Sequence, residues 1–204
     1  RVEDNKSVES TTTKDPLAST TDLLKTASDA IAEKTETAEQ SLDAYNQQIL
    51  SLTQQEVKTK RDLNQIKQQA IELIDKSSSA LIETNERLNS VTENLKQVNL
   101  TLPKSEQIHP RFTNTDELKA AIEEVIPRLD ASKSKIQSAK TSEALKQVLR
   151  STNVDLTKTS AKLSDEKSRV SLASLQTRKN LMFARINQLS SESVINPAEL
   201  ISIS

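Results

Sequence analysis

His109 stands four residues after Ser105, the nearest approach in this sequence to a base beside a nucleophile. An imidazole can take a serine proton as the oxygen attacks. That chemistry also needs donors for the developing oxyanion and a shaped pocket, and nothing in the flanking sequence supplies either. His109 therefore reads as a loop histidine. Adjacent carboxylates occur at Glu123-Glu124 and Asp165-Glu166. Both pairs fall in helical stretches and read as surface charge rather than as a general acid and base.

Metal and phosphate chemistry are poorly served. The chain has one His and no Cys, too few ligands for a zinc site. It has no Gly at all, which removes the phosphate loops and the calcium loop that depend on one. The Glu-x-x-His pairs of di-iron bundles are missing too. The chain is expected to be non-enzymatic and to need no cofactor. Asn5-Lys6-Ser7 and Asn99-Leu100-Thr101 are N-glycosylation sequons, no more than chance supplies in so Ser- and Thr-rich a chain.

The composition points to helices with narrow apolar stripes. Aromatic residues make up 1% of the 204, hydrophobic residues 34% and charged residues 28%. Aromatics usually fill a thick core, so a thin one is expected. A mean hydropathy of −0.59 would also suit disorder, but the net charge of −1 and the heptad spacing argue against it. No run of eighteen apolar residues suggests a membrane span. The sequence begins at Arg1 rather than Met, as removal of a leader would leave. A secreted or surface site and a cytoplasmic one fit equally.

Residues 1–15 read as a flexible arm, and Asp15-Pro16 as a helix start. Leu24, Ile31, Ala38, Tyr45 and Leu52 recur by seven, with Leu42, Ile49, Leu63 and Ala70 in a second row. After a polar gap at Thr59 the repeat resumes through Leu102. Pro103 ends it. Asn114 and Glu117 suggest a capping box opening a second run. Its stripe runs from Leu118 through Leu129, past a weak patch at Lys140, and on from Leu145 to Val170. Leu172, Leu175, Met182, Phe183, Ile186 and Leu189 complete it, and Pro127 should kink it.

Two runs of similar length imply an all-α fold, a long antiparallel helical hairpin or coiled coil. The first arm is 16–102, the turn 103–113, the second arm 114–193 and the tail 194–204. A turn centred near residue 108 would set Leu88 against Leu129 and Tyr45 against Leu172. The alternative is a compact four-helix bundle, bent at Lys76–Ser79 and Ser151–Asn153.

Two segments could meet a partner. In the turn, Ile108, His109, Arg111 and Phe112 could form a displayed tip, with Ile108 and Phe112 either exposed or tucked over Leu100 and Leu118. In residues 176–189, Arg178, Lys179 and Arg185 accompany Met182, Phe183 and Ile186 with no acid. Such a face can rest on an anionic membrane or in a partner's groove, or it can pack on the first arm. The expected role is structural or protein-binding, as spacer, tether, assembly subunit or tip-presenting rod. The polar seam favours self-association, so a protein partner or a second copy is expected. Nucleic acid is not, because 28 Lys and Arg balance 29 Asp and Glu. The second reading is a lipid-responsive amphipathic bundle.

Overall fold

The computed structural model describes residues 16–105, 107–110 and 114–192. It gives side-chain surroundings from residue 25 onward, except at 173, 174, 177, 181, 184 and 192. Among the described residues all regular structure is helical: α1 (Pro16–Leu52), α2 (Lys60–Leu100), α3 (Asp116–Ser138) and α4 (Ser142–Glu192). The expected arm, tail and sequon at residues 1–15 and 194–204, including Asn5, lie outside the described residues, as do Arg111 and Phe112.

The first run is not one helix. It breaks at residues 53–59, where Val57 is the only apolar side chain. Thr59 then restarts it. Its hydroxyl accepts from the Asp62 amide at 3.2 Å, and Asp62 Oδ2 accepts from the Thr59 and Lys58 amides at 3.1 Å each. This is a reciprocal capping box with Asp as the returning acid. The second run breaks at 139–141. There the Thr141 hydroxyl takes the Ala144 amide at 3.1 Å and opens α4.

No glycine is needed to stop these helices. The amides of Thr53, Gln54 and Gln55 bond to carbonyls three residues back, at 3.1–3.3 Å, and tighten the end of α1. Thr101 and Leu102 close α2 in the same way, and Ala139 closes α3. No described residue has a positive φ.

The four helices pack antiparallel, α1 on α2 and α4, and α3 on α2 and α4. Two straight arms would not allow the extensive contact between α1 and α2, so the arms are folded, not extended. The corners fall at 53–59 and 139–141. The expected bends at Lys76–Ser79 and Ser151–Asn153 lie inside α2 and α4. The facing pairs also differ from a turn centred at 108. Asn46 meets Thr157 and Thr92 meets Thr115, because residues 107–110 double back along the end of α2 before α3 begins. α3 continues unbroken through Pro127, with Val125 and Leu129 buried on either side.

One apolar cluster draws on all four helices: Ile31, Leu42 and Ile49; Ile74, Leu81 and Leu95; Leu118, Ile122 and Leu129; Leu149, Leu156 and Leu163. Among the described residues no aromatic side chain belongs to its buried set. Between these residues sit buried hydroxyls. Thr35 bonds to the Ile31 carbonyl, Ser77 to Leu73, Thr84 to Ala80, Thr152 to Val148 and Thr159 to Asp155, at 2.6–2.9 Å. Each hydroxyl is satisfied four residues back on its own helix.

The corner at Thr59 yields a test. Thr59→Ala should cost about 1 kcal/mol and lower the melting temperature by roughly 2–4 °C. The amides of Lys58 and Thr59 hold the Asp62 carboxyl below its ordinary 3.8. A depressed folded-state pKa stabilises above the unfolded-state value and is lost as pH falls through the folded one. The melting difference between the native chain and Asp62→Asn should therefore be full at pH 7 and shrink below about pH 4. A difference that persists unchanged in acid would contradict this role for the carboxylate.

Candidate functional site

Three places carry polar or apolar groups that the packing does not explain at once: the 101–115 connection, a buried carboxylate on α4, and the second half of α4.

In the connection, Ile108 is 1% exposed. Its amide donates to Asn99 Oδ1 at 2.8 Å, and its carbonyl accepts from Asn99 Nδ2 at 3.0 Å. Asn99 thus imitates a strand neighbour and seats Ile108 on the end of the bundle. Gln107 reinforces the fold-back through the Leu102 and Pro103 carbonyls. Ile108 is not part of a displayed tip; it seals the end. Its capture also commits Asn99, which is 7% exposed and whose amide nitrogen is the atom a glycan would occupy. His109 and Ser105 are both exposed. The Asn114 side chain accepts from Asp116 at 2.8 Å, a tight turn ahead of α3. This replaces the expected capping box with Glu117.

Glu166 corrects a second expectation. Its residue type and acidic neighbour suggest surface charge, yet it is 1% exposed. Its place in the heptad explains this, since Leu145, Thr152, Thr159 and Glu166 form one inward row beside Leu149, Leu156, Leu163 and Val170. Arg169, one turn later, pairs with Glu166 Oε2. The other arm of its guanidinium donates to the Asn114 carbonyl at 3.2 Å. A buried carboxylate needs such a partner. The pair ties α4 to the entrance of α3. It opens on no described cavity, and among the described residues no three His, Asp or Glu gather where they could hold a metal ion.

The second half of α4 behaves differently. The inward rows, continued by sevens past Val170 and Glu166, arrive at 173, 177, 180, 184 and 187, which are small or polar residues. Leu172, Leu175, Met182, Ile186 and Leu189 fall at the heptad positions farthest from the seam, with Phe183 alongside. They do not complete the core stripe. All six are between 39% and 64% exposed, and they are six of the ten large exposed apolar side chains among the described residues. The chain's one Met and one of its three aromatics are here. Arg178, Lys179 and Arg185 are exposed on the same side, and the Lys179 ammonium lies 5.9 Å from the Phe183 ring centre. These side chains are exposed rather than packed into the apolar cluster. Heptad counting from Val170 was the signal that could have placed them outward.

The surface grooves are shallower features. One of about 700 Å³ between α1 and α2 is lined by Tyr45, Ile71, Glu72 and Asp75. Its acids are already engaged by Lys76 and Lys133. Among the described residues no helix is long and apolar enough to cross a membrane. Comparison with protein-family models, curated proteins and solved structures finds no match.

The ion pair predicts an asymmetry. Arg169→Ala strands a carboxylate in the core and should cost about 3–5 kcal/mol. Glu166→Leu should cost less, because Arg169 keeps 30% of its side chain in water and an apolar residue suits the row. Equal losses in urea unfolding would mean that Glu166 is not buried as a charge.

Proposed function

We propose that this chain is a non-enzymatic, folded four-helix bundle that works as an interaction module, with the outward face of α4 as its contact surface. One observation carries the reading: among the described residues, six of the ten exposed large apolar side chains are gathered on one side of a single helix. Scattered surface apolar residues need no explanation, but a contiguous patch rimmed by polar groups is how binding surfaces look. The rest of the molecule supplies the scaffold. α4 is 51 residues long, and its first half is held by the shared core. The helix therefore presents its second half at a fixed angle, as a spacer or tether should. The tip-presenting role loses support, because Ile108 is consumed in sealing the end of the bundle.

If the face is a contact surface rather than core, polar substitution there will not unfold the protein. Leu175→Gln, Met182→Gln and Phe183→Gln together should move the melting temperature by no more than about 3–6 °C, since surface changes usually stay within about 0.5 kcal/mol each, and should shorten retention on a phenyl matrix. For comparison, Leu156→Ala in the core should cost about 2–5 kcal/mol. A comparable loss from the triple substitution would show that the face packs inside the chain and would end the reading.

A further inference from the structure

The contact surface just described has a charge pattern that selects its occupant. From residue 170 to residue 191 there are three Lys or Arg and no Asp or Glu, in a chain whose formal charge is −1, while Lys167 and Arg169 just before them are already paired with Glu36 and Glu166. The positive charge is thus concentrated on the very segment that carries the apolar face. Arg178 and Arg185, seven residues apart, run along one edge of the stripe. Lys179 lies within it, over Phe183.

We propose that this face docks on an anionic lipid surface, with α4 lying flat in the headgroup region. The inference rests on the reading of the face as a contact surface. Three observations favour a bilayer over other occupants. The first is orientation: the stripe sits at heptad positions opposite the seam, so an extended flat surface can reach it without touching the other helices. The second is Lys179. In an apolar protein groove an ammonium in mid-stripe would be buried and would need a matched acid. At a membrane it can lay its methylenes along the stripe and lift its charge to the phosphates. The third is self-repulsion. Two copies meeting through this face would bring Arg178, Lys179 and Arg185 together with no acid between them. The bundle need not open, because the face is already formed; apolar side chains would sink about 5–10 Å while the cations meet the headgroups.

The test uses the full chain and sucrose-loaded vesicles. The chain should sediment with phosphatidylcholine vesicles containing about 30% phosphatidylserine, within the range of anionic inner leaflets. It should not sediment with phosphatidylcholine alone, and high salt should release it. Neutralising Arg178, Lys179 and Arg185 to Gln should weaken binding on the order of a hundredfold. Leu175→Gln with Phe183→Gln should abolish it, while Leu50→Gln, an exposed apolar site on α1, should not change it. Circular dichroism of each variant checks that it is folded. Absence of sedimentation with the anionic vesicles, or equal binding by the neutralised variant, would overturn the proposal. So would a dimer, seen by sedimentation equilibrium without lipid, that is lost in the Leu175→Gln, Phe183→Gln variant; that outcome assigns the face to a second copy. In each case unchanged melting of the variants leaves the contact-surface reading standing, whereas lowered melting removes both.

Discussion

The structure depends on hydroxyls that are buried by bonding to their own helix. Thr35, Ser77, Thr84, Thr152 and Thr159 lie in the core, and each donates a hydrogen bond to the carbonyl four residues back. Burying an unpaired hydroxyl costs roughly 1–3 kcal/mol in proteins. With the hydroxyl bonded locally, what faces the neighbouring helix is a Cβ or a methyl group. Serine and threonine can then fill heptad positions that would otherwise demand valine or alanine. This is how a chain with 34% hydrophobic residues sustains one core across four helices.

A core solved helix by helix provides little to fix how the helices line up. That task falls to a few polar contacts between elements. Asn46, Asn153 and Thr157 bond to one another across α1 and α4, and Ser160 reaches Asp43 nearby. Asn99 holds Ile108 at one end of the bundle, and Arg169 joins α4 to the start of α3. Most ion pairs on the surface are well exposed, as at Lys25–Asp29 and Lys76–Glu72, and such pairs contribute little. The register is therefore set by amides and by one half-buried guanidinium rather than by the abundant surface charge.

Heptad spacing made the helical character and much of the inward set legible, including Ile31, Leu42, Leu81, Leu129 and Leu156. The corners were harder to see. Thr59 and Asp62 were present as a capping signal, but a polar gap in a heptad can be a weak turn of helix or a break. Nothing in the gap itself says which, since no Gly or Pro marks it. Tertiary packing decided, because folding α1 onto α2 buries both stripes. Lys140 and Thr141 hid the second corner in the same manner. Glu166 was misread by residue type, although its spacing from Thr159 placed it inward. The outward turn of Leu172 and Met182 was misread the other way, from apolar type without register. At the sites, the basic face was legible from composition, but its exposure was not, because exposure depends on where the partner helix lies.

Among the described residues the connections are built without a single left-handed residue. Helices here stop by tightening, through amide bonds to carbonyls three residues back at Thr53, Thr101 and Ala139. Any L-residue tolerates those backbone angles. In evolutionary terms, no described position is reserved for an amino acid on grounds of handedness. Substitution is limited by volume in the core, by hydroxyl or methyl character in the seam, and by the few amides that set register. Apart from the capping residues Thr59, Asp62 and Thr141, a lineage carrying this fold can change its corners without a handedness constraint, and its sequences would keep a rhythm of residue sizes rather than a set of invariant letters.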